Sequence, residues 1–204
     1  MKQLLSNIWT WEWFSPEKQY LFNGLLVGGE KEKKVIIDPV KMSEETKKTF
    51  KQLGPYEAIY LTNRDHERIA YDLRREFDIP IWIYEADKSY LKEEPDFTFK
   101  DKDKLLCGIE VMHFIDQKSP GESAFYIMDR KIIILGDALI GNSPGRLNLL
   151  PETKYKDVKK AKNGLEKLCT LSFDVILVGD GEPILSDAKE ALEKFFVLSK
   201  ELKC

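Results

Sequence analysis

The chain has 204 residues, 43% hydrophobic and 33% charged, and this length and composition predict one globular domain spanning residues 1–204. A net charge of −3, with lysine spread evenly among acidic residues, argues against a nucleic-acid surface, and no apolar segment reaches the roughly 20 residues that a membrane helix needs. The lack of a signal-peptide pattern and the odd number of widely spaced cysteines favour a cytoplasmic protein without a thiolate zinc site.

The first half of the chain is predicted to begin with strands and then to alternate strands with helices. Trp9, Trp11 and Trp13 alternate, which predicts a strand with one aromatic face that suits a sandwich core, a homodimer contact or, as a third reading, a pocket lining. Hydrophobic runs and breaker residues predict the remaining elements. These are strands at 20–28, 34–38, 58–61 and 79–84, helices at 43–54 and 66–77, a short helix or turn at 87–92 and a charged turn at 30–33.

The second half opens with a charged linker at 100–104 and then repeats the mixture of strands and helices. A loop at 141–151 contains glycine and proline and shows no hydrophobic period. Strands are predicted at 108–115, 123–128, 131–135 and 175–178, and helices at 157–168, with a kink or break at Asn163-Gly164, and 186–202. This order suits two mixed β-sheets packed face to face with helices outside, in the α/β (α+β) class.

Four short polar segments stand at or near the ends of apolar strands. They read Thr-Asn-Arg-Asp-His-Glu-Arg at 62–68, Pro-Gly-Glu-Ser at 120–123, Gly-Asp-Ala at 136–138 and Gly-Asp-Gly-Glu-Pro at 179–183. Turns alone need glycine, aspartate and asparagine, so any single segment has an ordinary structural explanation. Ligands bind at the carboxyl ends of strands in open α/β sheets, so the four segments together predict a shared site.

In order and context these segments resemble the motifs of the metallo-β-lactamase superfamily, which are His-x-His-x-Asp-His, Pro-Gly-His-Ser, Gly-Asp-Ala and Gly-His-Gly-x-Pro. The resemblance covers nearly the whole chain and implies the four-layer αββα sandwich of that family. It also implies that Asp38 supports the neighbouring loop without being a ligand. Asp137 matches the family's metal-bridging carboxylate, and the family's other ligand positions are occupied by Asn63, Asp65, Glu67, Arg68, Glu122 and Asp180.

The chain contains only two histidines, His66 and His113. In this alignment His66 lies between two ligand positions and is expected to point elsewhere, while His113 lies inside a strand and is expected to be structural. A shifted alignment lets Asp65-His66 stand for the family's Asp-His pair, but it places Leu61 and Asn63 at the histidine positions. In neither alignment can a histidine-rich two-zinc centre form.

The acidic residues that remain at these positions need a source of positive charge. Carboxylates crowded together bind a cation, accept a basic side chain or shift their pKa values upward. Oxygen ligands suit weakly bound Mg²⁺, Mn²⁺ or Ca²⁺. Arg68 offers the other solution, because its guanidinium could pair with Asp180, Glu67 or Asp137 and fill the second metal position. The possible metal ligands are Asp65, Glu67, Glu122, Asp137 and Asp180.

Two functions remain open at this stage, and the orientation of Arg68 discriminates between them. As an enzyme, the protein would hydrolyse an ester, thioester, lactone or phosphoester at a bound cation, with Asp137, Asp65 and Glu122 as the catalytic acids. As a non-catalytic family member, it would keep the pocket for a small-molecule ligand or use the fold as an interaction scaffold. The predicted pocket residues are Asn63, His66, Arg68 and Arg146, the last of which could receive an anionic ligand.

Overall fold

The computed structural model describes residues 1–29 and 33–201, so most of the predicted turn at 30–33 and the predicted helix end at Leu202 lie outside the described residues. The strands are β1 (Lys2–Leu5), β2 (Ile8–Ser15), β3 (Tyr20–Gly28), β4 (Lys34–Ile37), β5 (Ala58–Tyr60), β6 (Ile81–Tyr84), β7 (Phe97–Phe99), β8 (Ile109–His113), β9 (Ser123–Ile127), β10 (Ile132–Leu135), β11 (Ile140–Ser143), β12 (Arg146–Asn148) and β13 (Val175–Val178). The helices are α1 (Glu44–Leu53), α2 (Ala70–Phe77), α3 (Val158–Gly164) and α4 (Ala188–Glu201). No helix among these described residues is long and apolar enough to cross a membrane.

Two mixed sheets form the centre of the molecule, as the sequence predicts. The first sheet has seven strands in chain order, β1 to β7, which pair antiparallel up to β4 and parallel from β4 onward. The second has four strands in the order β13-β10-β9-β8, with β10 parallel to β13 and antiparallel to β9. Strands β11 and β12 form a separate hairpin.

The apolar residues form three layers, which place the helices outside the two sheets. Between the sheets, Tyr60 of the first sheet packs against Phe125 of the second, with ring centroids 6.0 Å apart. On the outer face of the first sheet, Phe50 of α1 packs edge-on against Trp11, 5.4 Å between centroids. On the outer face of the second sheet, Leu192 of α4 belongs to the third buried cluster. The four-layer αββα sandwich is therefore confirmed.

The loops that carry the polar segments meet at one edge of the sandwich. Asp38 follows β4, Thr62 follows β5, Asp137 follows β10 and Asp180 follows β13. These strands form parallel pairs, so their carboxyl ends lie together. Hydrogen bonds join the two sheets there: the backbone N–H of Ser123 donates to Thr62 O at 2.8 Å. The sheets thus bring residues that are distant in sequence to a common site.

The largest local difference from prediction lies just before α2. The predicted helix at 66–77 begins only at Ala70, and residues 64–66 form a separate 3₁₀ turn. Arg68 has a φ of 29°, which takes the backbone out of the helical region between the two. The predicted interruption at Asn163-Gly164 is confirmed, since α3 ends at Gly164. Strands β1, β7 and the β11–β12 hairpin were not predicted, because they are short and lack a clear period.

Candidate functional site

His66 lies at the centre of the polar cluster, so the prediction that it would point elsewhere was wrong. Its Nδ1 is 2.8 Å from Asp38 Oδ2 and 3.0 Å from Thr62 Oγ1. Its Nε2 is 3.3 Å from Asp137 Oδ1, and the side chain is 2% exposed. The 3₁₀ turn is the reason, because a residue outside the α2 helix need not follow the spacing of that helix. We call Asp38, Thr62, His66, Asp137 and their partner Lys118 the His66 network.

The acidic partners decide the protonation state of His66. Burial and Arg68 act to lower the pKa of His66, but Asp38 and Asp137 outweigh them and raise it to about 10. The imidazole is therefore protonated at neutral pH, and both ring nitrogens are donors. A protonated imidazole has no lone pair to offer to a metal ion.

Asp38 supports the loop after β5, as the resemblance implied. Its Oδ1 accepts a hydrogen bond from the backbone N–H of Thr62 at 2.9 Å, and its Oδ2 accepts one from Thr62 Oγ1 at 2.6 Å. Gly136 approaches the same loop closely, since a Cβ at this position would lie 2.2 Å from Thr62 Oγ1. The Gly-Asp-Ala segment therefore needs glycine in order to bring Asp137 up to His66.

Lys118 is a cationic member of the site that sequence reasoning missed. Its Nζ lies 2.6 Å from Asp137 Oδ2 and 2.8 Å from Asp65 Oδ2. Burial acts to lower the pKa of Lys118, but Asp137 and Asp65 raise it above its usual value. The only sequence signal was its place two residues before the Pro-Gly-Glu-Ser segment. This ammonium joins the loop after β5 to the loop after β10.

Asp137 is the acidic centre of the His66 network. Burial acts to raise the pKa of Asp137, but His66 and Lys118 hold it well below its usual value. The carboxylate is therefore ionised, and each of its oxygens lies beside a cationic nitrogen. The sequence left open a pairing of Asp137 with Arg68, but its partners are His66 and Lys118.

Arg68 instead pairs with Asp180, one of the three partners considered from the sequence. Its Nη2 lies 3.1 Å from Asp180 Oδ1, and its guanidinium lies over the Phe22 ring, 4.5 Å from the centroid. Nη1 is buried and has no hydrogen-bond partner among the described residues. Burial raises the pKa of Asp180, and Asp137 adds to that, while His66 and Arg68 oppose it. We call Tyr20, Phe22, Arg68 and Asp180 the Arg68 wall.

Two residues of the predicted site lie elsewhere. Glu67 Oε2 accepts hydrogen bonds from Tyr71 Oη at 2.6 Å and from the Lys92 backbone N–H at 3.0 Å, and its Oε1 pairs with Lys92 Nζ at 2.7 Å. The backbone reversal at Arg68 turns Glu67 away from the cluster. Arg146 lies exposed on β12 and does not line the cleft, because the hairpin holds it outside.

Asn63 and Glu122 are fully buried at the inner end of the site. Glu122 Oε1 accepts a hydrogen bond from the Ala138 backbone N–H at 3.0 Å, and Asn63 Oδ1 accepts one from the Asp65 backbone N–H at 2.9 Å. Burial, and then Asp137, raise the pKa of Glu122 well above its usual value. Burial and Asp137 thus favour the protonated form of this carboxyl, whereas the partners of Asp137 favour its ionised form. Asn63 Nδ2 and Glu122 Oε2 have no partner within residues 1–29 and 33–201.

One group of side chains in the described part of the chain has the spacing of a metal site. His66, Asp137 and Asp180 each offer a ligand atom, and these atoms lie within 4.8 Å of one another. Of the carboxylates predicted as ligands, only Asp137 and Asp180 belong to this group. Each of the three residues already has an oppositely charged partner.

The cluster forms the floor of an open cleft of about 690 Å³. The aromatic lining residues are Trp13, Tyr20 and Phe22, and the aliphatic ones are Ile140, Leu150 and Pro151. This size is typical of sites for small molecules. Trp13 also packs beside the core on the outer face of the first sheet, so the aromatic face of β2 serves both the core and the cleft.

Comparison with known proteins gives the family. Residues 1–198 match the sequence model of a family described as metallo-beta-lactamase superfamily. This chain belongs to the metallo-β-lactamase superfamily. A relative from Bacillus subtilis, the probable metallo-hydrolase YqgX, is 28% identical over 174 residues, which cover 72% of this chain and 79% of that protein.

Solved structures of the metallo-β-lactamase superfamily share the fold at low sequence identity. A metallo-beta-lactamase from Pontibacter korlensis superposes with a TM-score of 0.77 at 18% identity and covers 97% of each chain. TTHA1623, solved in a di-iron-bound form, superposes with a TM-score of 0.69 at 22% identity and covers 90% of this chain and 96% of that one. At these identities the likeness establishes the fold.

Basic side chains lie between the acidic residues of the cluster. Lys118 contacts Asp65 and Asp137. Arg68 contacts Asp180. Both contacts join loops from the two sheets, so each neutralises acid at the place where the sheets meet.

Proposed function

We propose that this protein is a ligand-binding member of the metallo-β-lactamase superfamily in which basic side chains replace the two metal ions. The observation that carries the proposal is the position of Lys118 Nζ, 2.8 Å from Asp65 Oδ2 and 2.6 Å from Asp137 Oδ2. An ammonium group between two carboxylates supplies the positive charge that a bound metal ion would supply. It also occupies the space between those oxygens.

The side chains available as metal ligands support the same conclusion, because they do not suit a two-zinc centre. Zinc sites are built mainly from neutral imidazoles and thiolates, with carboxylates in addition. Here the cluster holds one imidazole, His66, and its raised pKa keeps it protonated. Arg68 takes an oxygen of Asp180. Metal binding would have to displace bound protons and ammonium groups, and it would weaken accordingly.

A second candidate function rests on the grouping of His66, Asp137 and Asp180 within 4.8 Å. Such a group could hold a single divalent cation if His66 lost its proton. The protein would then be a hydrolase of an ester, thioester, lactone or phosphoester at the same cleft, the activity that the family resemblance implies. Asp65 shares Lys118 with Asp137 and is a further acid at this place, whereas Glu122 is fully buried.

Metal content separates the two candidates. Inductively coupled plasma mass spectrometry of protein purified without chelator is expected to find less than one tightly bound zinc per chain. Two zinc or iron ions per chain would overturn the proposal. One tightly held ion per chain, lost in Asp180→Asn, would favour the second candidate. Weak Mg²⁺ or Mn²⁺ binding in the millimolar range is compatible with the first.

A gain-of-binding variant tests the replacement directly. Removing both basic groups in Lys118→Ala/Arg68→Ala is expected to raise the affinity for Zn²⁺ by at least about tenfold, equivalent to about 1.4 kcal/mol. Isothermal titration calorimetry measures this affinity. The matched control is Lys92→Ala/Arg75→Ala, because these residues form ion pairs outside the cleft. Equal zinc affinity in the wild type and both variants would contradict the proposal.

A further inference from the structure

The apolar lining of the cleft favours a ligand with a flat apolar body. Trp13 and Phe22 lie beside each other, with ring centroids 5.9 Å apart and planes inclined by 34°. Ile140 and Leu150 also line the cleft. Aromatic side chains contribute large apolar contact area and favour offset or edge-on contacts with another ring. An aromatic or similarly planar group in the cleft would gain contacts of this kind.

The charges around the cleft favour an anion. The basic lining residues are Lys18, His66, Arg68, Lys118 and Lys154, and the acidic ones are Asp65, Asp137 and Asp180. Every one of those acids already has a basic partner within 3.1 Å. Lys154 makes no ion pair within the described ranges, and the pair of Lys18 with Glu17 is exposed at 3.6 Å and therefore weak. Lys154 is therefore a lining cation without an acidic partner among the described residues, available to an anion.

Two hydrogen-bond donors in the Arg68 wall lack partners. Arg68 Nη1 and Tyr20 Oη are buried, both residues line the cleft, and neither atom has a hydrogen-bond partner in the described part of the chain. Burial, and secondly Asp180, raise the pKa of Tyr20, so its hydroxyl stays protonated and can donate. Buried polar groups are almost always paired, so such atoms in a cleft point to water or a ligand. A carboxylate has two oxygens, each of which can accept a hydrogen bond from donors of this kind.

We propose that the cleft binds a small aromatic carboxylate, whose ring contacts the aromatic and aliphatic lining residues and whose carboxylate accepts hydrogen bonds from Arg68 Nη1 and Tyr20 Oη. Lys154 stands at the rim and attracts the anion electrostatically. This inference rests on the proposed function, because Arg68 must remain in the cleft as the partner of Asp180. It adds the chemical class of the ligand.

A set of three related probes tests the class. Isothermal titration calorimetry is carried out with 2-naphthoate, with 2-naphthamide as its neutral counterpart and with 2-naphthyl phosphate as a doubly charged one. We expect 2-naphthoate to bind and the amide to bind at least about tenfold more weakly. Equal binding of acid and amide would overturn anion recognition. Tighter binding of the phosphate would overturn the choice of carboxylate, and absence of binding by all three would overturn the inference.

Variants locate the binding groups. Tyr20→Phe removes the hydroxyl and keeps the ring, and it is expected to weaken 2-naphthoate about tenfold while leaving 2-naphthamide unchanged. Lys154→Gln is expected to weaken the acid alone and to reduce the dependence of its affinity on salt. Lys156→Gln is the matched control, because Lys156 is equally exposed two residues away and does not line the cleft. Equal effects of the two lysine variants would contradict a role for Lys154.

Metal analysis distinguishes a failure of the proposed function from a failure of the aromatic-carboxylate proposal. The same preparation is analysed for zinc and iron before titration. Two metal ions per chain would remove the proposed function, whatever the probes do. A metal-free protein that binds none of the probes would leave the proposed function standing and remove the aromatic carboxylate. Both results come from wild-type protein, so neither depends on the folding of a variant.

Discussion

The His66 network and the Arg68 wall occupy the same cleft but differ in how completely their polar atoms are paired. In the network, both ring nitrogens of His66 have acidic partners, and both oxygens of Asp38 accept hydrogen bonds. In the wall, Arg68 Nη1 and Tyr20 Oη lack partners among the described residues. Buried charges that are fully paired hold a structure in place, whereas unpaired donors are available to a ligand. We therefore expect the His66 network to hold the site together and the Arg68 wall to recognise the ligand.

The supporting elements explain this difference. Asp38 directly follows β4, and Asp137 follows β10 after a single glycine, so the backbone holds their carboxylates in place. Arg68 lies on an irregular segment between a 3₁₀ turn and α2, and it is positioned by its ion pair with Asp180 and by the Phe22 ring. Its Nη1 donor has no partner among the residues that the structure describes. We therefore expect substitutions in the network to change stability more than substitutions in the wall.

The largest effect is expected for Asp137→Ala. Removing this carboxylate leaves Lys118 with Asp65 alone and His66 with Asp38 alone. Removing one partner of a buried ion pair costs on the order of 3–5 kcal/mol, so the free energy of unfolding measured in urea should fall by that amount. The control Asp72→Ala removes an exposed carboxylate that pairs with Arg75, and it should change the free energy of unfolding by less than about 1 kcal/mol. An unchanged or raised stability of Asp137→Ala would show that the acids repel each other and that the network is not paired.

A smaller loss is expected for Lys118→Met. This change leaves Asp137 with His66 as its only cationic partner, and the side chain is only partly buried at 26% exposure. Partial solvent screening reduces the cost, which we expect to be about 1–3 kcal/mol in the same urea experiment. Lys92→Met is the matched control, because Lys92 also pairs with a buried glutamate but is 77% exposed. Equal losses in the two variants would mean that the network contributes no more than an ordinary surface pair.

The pH dependence of stability tests the charge on His66. Its folded pKa, about 10, lies above the usual value of 6.5, so the folded protein holds a proton that the unfolded chain releases. The resulting stability is fully present below about pH 6.5 and is lost as the pH rises towards 10, by at most about 1.4 kcal/mol per pH unit. In His66→Gln, the slope of the free energy of unfolding against pH should be shallower, by the equivalent of up to one proton. Parallel curves for wild type and variant would show that His66 is neutral in the folded protein.

The smallest effect is expected for Glu122→Gln. Burial raises the pKa of Glu122 and favours its protonated form, which glutamine resembles in shape and charge, and a glutamine oxygen can still accept from the Ala138 backbone N–H. The free energy of unfolding at pH 7 should change by less than about 1 kcal/mol. Since a raised pKa favours the folded state below the unfolded value of 4.5, the variant should lose less stability than wild type as the pH rises. A loss near that of Asp137→Ala would mean that Glu122 is ionised.

The candidate site was predicted unevenly from the sequence. The segments at 62–68, 136–138 and 179–183 were correctly expected to converge, because strand ends and glycine turns are visible in a sequence. The prediction that Glu67 would join the cluster was wrong. The next residue, Arg68, has a positive φ, a conformation that arginine rarely adopts and that the sequence does not reveal. Lys118 was missed because a lysine between glutamine and serine has the appearance of a solvated surface residue.

The sequence by itself determined the two mixed sheets with helices outside and the scarcity of histidine, since these are properties of periodicity and residue type. It also limited the source of positive charge at the acidic cluster to a cation or a basic side chain. Only the tertiary structure decided that Lys118, His66 and Arg68 divide Asp65, Asp137 and Asp180 among them. The physical reason is that ion pairs act over a few ångströms between loops distant in the chain. Their partners are therefore set by how the two sheets meet.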